Sequence, residues 1–113
     1  MTTHNMKLYG FAGESFRMIS TGIKTIELRL YDEKRRKILP GDRIIFTFEN
    51  DMCEVMVLGL TLSDNFANLA KIVNVQDTGW CDAEDLTAGL LNFYSKDDQE
   101  KYGVVGIHIR RIP

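Results

Sequence analysis

From Lys24 to Leu30 the chain alternates polar and apolar side chains, with the period of two expected of a half-buried strand. Ile26, Leu28 and Leu30 are expected to face a core, and Thr25, Glu27 and Arg29 to face outward. Before this strand, Phe16 and Ile19 lie three apart, as on a short amphipathic helix near Ser15 to Thr21, and Gly22 supplies a residue suited to the left-handed turn that ends a helix. Lys7-Leu8-Tyr9 predicts a short first strand, which leaves His4 in a tail.

After Leu30, the run Asp32-Glu33-Lys34-Arg35-Arg36-Lys37 predicts a solvated loop, and Pro40-Gly41-Asp42 predicts a turn into the apolar strand Ile44 to Phe48. Glu49-Asn50-Asp51 turns the chain back into a long strand from about Cys53 to Leu62. Gly59 inside that strand marks an expected bulge, a device that lets a sheet curl. Asp64 is the expected cap of a short helix holding Phe66, Leu69 and Ala70. A second helix is expected from Asp82 through Leu86, Leu90, Leu91 and Tyr94, and Val104 to Ile109 reads as a closing strand. Five or six strands with two or three short helices predict an α+β domain built around a small barrel. Phe16, Phe46, Phe48 and Phe66 fit core positions.

A single domain over residues 1–113 is the default for this length, and neither a linker nor a repeat divides it. No apolar run reaches the roughly 18 residues of a membrane helix, and the first residues lack the pattern of a secretory signal, so a cytoplasmic protein without a membrane partner is expected. Cys53 and Cys81 are too far apart to suggest a zinc site or disulfide framework, and are expected to be free thiols, buried or half-buried. Two distant histidines suggest neither a metal site nor a catalytic triad, and no cofactor is expected. The net charge of -2 conceals an asymmetry: residues 1–48 carry nine Lys/Arg against five Asp/Glu, whereas residues 49–101 carry three against eleven. A polyanion would meet one face only.

The most informative chemistry lies on the alternating strand. Glu27 and Arg29 are about 7 Å apart at Cα on one side of it, and the long stem of Lys24 can curl around its edge. Arginine there can grip a phosphate with two parallel bonds or stack on a base, with the glutamate orienting it. The plainer alternative is an exposed ion pair worth about 0 to 1 kcal/mol. The cations Lys34, Arg35, Arg36 and Lys37 offer a second phosphate-attracting field, partly neutralised by Asp32 and Glu33. Trp80, beside Gly79 in a loop, is the first candidate for base stacking, followed by Tyr94 and Tyr102.

The spacing G-x-K-x-x-E-x-R, filled by Gly22, Lys24, Glu27 and Arg29, resembles the motif of ASCH domains. The likeness continues through Leu30, Asp32, Lys34, Arg35, Gly41-Asp42 and Tyr102-Gly103-Val104-Val105. It implies a PUA-like β-barrel with a cleft lined by the motif residues and an RNA or nucleotide-like ligand; Lys24, Glu27, Arg29, Lys34 and Arg35 are expected to hold it, together with Trp80 as the stacking ring. Within the basic run it favours Lys34 and Arg35 over Arg36 and Lys37. Some small ASCH proteins resemble amidohydrolases of acetylcytidine, with a lysine at the position of Lys24, a threonine three residues later and a downstream glutamate. Under that second reading Lys24 and Glu27 would be catalytic. Here, however, Glu27 replaces the threonine, and Glu84 is only a loose match for the downstream acid.

Overall fold

The computed structural model describes residues 1–113, apart from the Phe11 side chain. Its elements are β1 (Thr3–Leu8), α1 (Gly13–Ser20), β2 (Ile26–Leu30), β3 (Arg43–Phe48), β4 (Asp51–Ser63), α2 (Phe66–Leu69), α3 (Ala83–Leu90), α4 (Lys96–Tyr102) and β5 (Val104–Arg111). The five strands form one sheet in the order β1-β3-β4-β5-β2, with β1 parallel to β3 and the remaining pairs antiparallel. The sheet curls into a half-barrel whose edges are β1 and β2, an α+β fold consistent with a small PUA-like barrel. Four helices accompany it, one or two more than expected.

The curl has a local origin in β4. Pairing with β5 passes from Val57–Ile109 to Gly59–His108, leaving Leu58 as an extra residue at the bulge expected around Gly59. One additional residue bends its strand and increases the local twist.

Two apolar clusters lie on opposite faces of the sheet. The inner one joins Ile44 and Phe46 of β3, Val55 and Val57 of β4, and Val105 and Ile107 of β5 to Phe16 and Ile19 of α1. The other joins Ile26 and Leu28 of β2 to Phe66, Leu69, Leu86 and Leu90 of α2 and α3. Phe48, half-buried, stacks on Phe16 with ring centroids 6.1 Å apart. β2 therefore keeps its alternation while being covered on both faces, which corrects the outward orientation expected for Glu27 and Arg29.

Several local expectations are also corrected. His4 belongs to β1, where its Nε2 lies 2.8 Å from Asp42 Oδ2. Asp42 accepts in addition from the Thr2 and Leu39 amides, and these bonds, His4's first, hold its pKa at about 2. The cap of α2 is Asn65, whose side chain accepts from Asn68 N–H; Asp64 precedes it. Asp82 does cap α3, but that helix ends at Leu90. A separate α4 follows, capped by Ser95, with Gln99 its only buried residue. Both cysteines are free; Cys53 is buried and Cys81 exposed.

Trp80 fixes the position of α3. Its half-buried ring lies so close to Gly89 that a Cβ there would collide with the indole. Gly89→Ala should therefore lower stability by about 1 to 3 kcal/mol, the usual cost of overpacking, outweighing the gain of up to about 1 kcal/mol that alanine brings to a helix. Urea unfolding of the two proteins measures the difference, and an unchanged midpoint would show that Trp80 repacks freely.

Candidate binding site

The chain reverses direction between α1 and β2, and this brings three separated side chains together. Thr21 and Gly22 close α1 through bonds to the Arg17 and Ile19 carbonyls, and Gly22 takes a left-handed φ of 82°. Lys24 N–H then bonds back to Met18 C=O at 2.9 Å, and Thr25 N–H to Asp77 C=O at 2.8 Å. Lys24 is thereby held under α1 just before β2 begins. Its stem also lies near Gly79, where an added Cβ would stand 3.5 Å from Lys24 Cδ and 2.9 Å from Met18 Cε.

Glu27 is paired in register with Ile107, and Arg29 with Val105, so both side chains project from the face that carries the inner core. Glu27 is 4% exposed and Lys24 8%. The Glu27 carboxylate lies 2.8 Å from Lys24 Nζ through Oε1 and 3.1 Å from Arg29 Nη2 through Oε2. Oε1 also accepts from the Leu28 amide at 3.3 Å. Lys24 Nζ donates to Ser15 Oγ of α1 at 2.8 Å. Tyr94, whose ring packs at 5.5 Å from that of Phe66, flanks Arg29. The triad thus contains two cations and one anion.

Burial by itself would raise the Glu27 pKa. Lys24 and Arg29, through both charge and hydrogen bonds, overcome that effect and hold it at about 2. Burial likewise disfavours the Arg29 cation, yet Glu27, with Tyr94 beside it, shifts the balance toward the charged form.

The other candidates are placed differently. Arg35 pairs with Asp32 at 3.2 Å, whereas Lys34 is exposed. Arg36 lies over the Tyr31 ring at 4.4 Å and donates to Tyr102 C=O, so it braces the loop. Trp80 packs against Gly89 and the second core, which makes its ring a structural wall before it is a stacking platform. Glu84 is exposed in the first turn of α3. Sequence reasoning missed Ser15 and the pairing of Tyr94 with Arg29, because a lone serine in an amphipathic helix and a tyrosine after another helix carry no distinguishing pattern. Among the described residues no cluster of three His, Cys, Asp or Glu is arranged to hold a metal, and no helix is long and apolar enough to cross a membrane.

Comparison with known proteins bears on the family and the fold. A family model described as the ASCH domain matches residues 12–113. The crystal structure of a hypothetical protein, PH0355, is 35% identical with a TM-score of 0.86, covering 98% of this chain and 100% of that one. The solution structure of protein PF0455 from Pyrococcus furiosus is 31% identical with a TM-score of 0.76, and 98% of each chain is covered. Among curated proteins nothing matches the chain.

The depressed Glu27 pKa links the site to stability. Its folded value of about 2 lies below the ordinary 4.5, so its stabilising contribution is complete above pH 4.5 and is lost as pH falls toward 2. Glu27→Gln would leave two cations without their counter-charge and should destabilise by about 3 to 5 kcal/mol at neutral pH. It should also flatten the acid limb of a stability–pH profile, leaving the part due to Asp42. A profile identical to that of the unmodified protein would mean that the carboxylate is not buried between its partners.

Proposed function

Since the chain belongs to the ASCH domain family, we propose that it binds RNA or a nucleotide-like anion at the mouth formed by Lys24 and Arg29. The observation that carries this reading is the incomplete charge balance of the triad: one buried carboxylate is shared between an ammonium and a guanidinium. An anionic ligand would supply the missing charge, in a setting where charge-assisted bonds are stronger than in water. Arg29 commits Nη2 to Glu27 and has Tyr94 beside it, and the donors of its planar fork left over by these two are the ones for a phosphate or a base.

Glu27 has the role of a positioning residue. Its oxygens already accept from Lys24, Arg29 and the Leu28 amide, so it aims the two cations and does not read the ligand itself. Lys34 and Arg35 extend the positive field along the loop.

Hydrolysis of a modified nucleoside fits this arrangement less well. Lys24 Nζ donates to Ser15 and is paired with Glu27, leaving no lone pair directed at a substrate proton. Glu27 also stands where the enzyme-like members are expected to carry a hydroxyl.

Binding of labelled RNA across a salt series tests the proposal. Arg29→Lys should weaken it about tenfold despite conserving charge, the worth of one hydrogen bond to a charged group. Truncating Lys34 and Arg35 together to alanine should reduce the salt slope by about 1.4, the value for two phosphate contacts on a single strand. Unchanged affinity in both variants would refute the assignment. Acetylcytidine turnover by the unmodified protein, abolished in Lys24→Ala, would establish the enzyme instead, and Glu27→Thr tests whether a restored hydroxyl creates that activity.

A further inference from the structure

Tyr102 stands at the junction of two cavities. The larger, about 760 Å³, opens among the ends of α2, α3 and α4, with Asp64, Leu91 and Glu100 among its walls. The smaller, about 420 Å³, lies along the basic loop and is walled by Lys34, Arg35 and Lys37 together with Asp32 and Glu33. Half-buried Tyr102 lines both, so the two adjoin at its side chain and are called the chambers of one depression. Neither is lined by Lys24, Glu27 or Arg29, so the depression is separate from the mouth described above.

The chambers differ in chemistry. In the smaller, three cations face two carboxylates, and Arg35 bonds Asp32 through Nη1 while its Nε is buried without an acceptor among the described residues. Nη1 is the guanidinium donor spent on Asp32, and the exposed ammonium groups of Lys34 and Lys37 stand beside it, so a phosphate in this chamber would meet three cations. In the larger chamber, Asp64 and Glu100 are balanced by Lys96 and Lys101, so it carries no net charge to draw a phosphate, and its two carboxylates can accept from the exocyclic amino group of a base. Its volume is within the usual range of small-molecule sites, about 300 to 1,000 Å³. Tyr102, with Lys101 Nζ 5.0 Å from its ring centroid, separates the two.

We propose that this depression takes one nucleotide of a single-stranded RNA, with an amino-bearing base in the larger chamber against Tyr102 and its phosphate at Lys34, Arg35 and Lys37. The inference rests on the RNA-binding reading and deepens it, because it makes the ligand a strand with two stations. Tyr94 flanks Arg29 just before α4, and Tyr102 ends that helix. Seven helical residues span about 10 Å, so one nucleotide cannot fill both stations.

Fluorescence anisotropy with labelled hexaadenylate and hexauridylate tests the proposal. Hexaadenylate should bind more tightly, and Tyr102→Leu should weaken it about tenfold, within the range that base–aromatic stacking supplies, whereas Tyr102→Phe should stay within twofold. In the unmodified protein, hexaadenylate should also shift the backbone amide resonances of Thr87, Lys101 and Gly103, a readout independent of how well any variant folds. Hexaadenylate binding that is lost in Arg29→Lys but unchanged in Tyr102→Leu, with those amides still, overturns the second station and leaves the mouth standing. Binding that falls in Tyr102→Leu and survives Arg29→Lys supports the depression and refutes the mouth. Absence of binding to either oligonucleotide overturns both.

Discussion

The arrangement around β2 depends on one carboxylate being held between two cations where water is scarce. An isolated charge of that kind would be strongly disfavoured in a protein interior, and the pairing must be good before it is tolerated. Glu27 meets that condition through three donors: the Lys24 side chain from the turn before β2, and the Arg29 side chain and Leu28 amide from β2 itself. Lys24 in turn reaches Ser15, which couples α1 to the edge strand. Removing the carboxylate would therefore disturb the closure of α1 over the half-barrel as well as the charge balance at its mouth.

That dependence explains why a polar strand face can turn inward. The sheet has two edges, β1 and β2, and α1 runs between them in sequence. On the inner side Phe16 and Ile19 anchor α1 to the core, while Ser15, at the flank of that same face, accepts from Lys24. Apolar contacts thus set the position of the helix, and the ion network fills the space it encloses next to the edge strand. Dense, directional bonds leave none of the three charges there without a partner.

Much of this was legible in the sequence, for reasons that differ by element. The period-two run at β2, the turn after Gly22 and the bulge near Gly59 follow from local chemistry and appear where expected. The face of β2 that would be covered was not legible, since alternation separates two faces without saying what lies over each. α4 was missed because Lys-Asp-Asp-Gln-Glu-Lys-Tyr has no apolar period; a serine cap and the insertion of Gln99 hold it. Gln99 Nε2 donates to the nearby Tyr94 C=O, and its Oε1 accepts from Phe66 N–H, a long-range contact that no window on the sequence reveals. The Lys24–Glu27–Arg29 grouping was suggested by spacing and family resemblance, whereas Ser15 and Tyr94 join it only through tertiary structure.

Gln99 also ties the two halves of the surface together. It connects the start of α2 to the segment that precedes α4, and so fixes Tyr94 beside Arg29 while the far end of the same helix carries Tyr102. Gly103 follows at once, its carbonyl accepting from Tyr31 N–H at the end of β2. A short helix is therefore tied at its end to the strand that bears the triad, and through Gln99 to α2 and the Tyr94 segment. Any shift of β2 that adjusts Arg29 must be carried to Tyr102 through Tyr31 and Gly103, or be absorbed by breaking a buried hydrogen bond. Such a bond contributes about 1 kcal/mol net, and stranding one of its partners costs about 1 to 3 kcal/mol. Against those penalties a small rigid displacement of α4 is the cheaper response to a shift of β2.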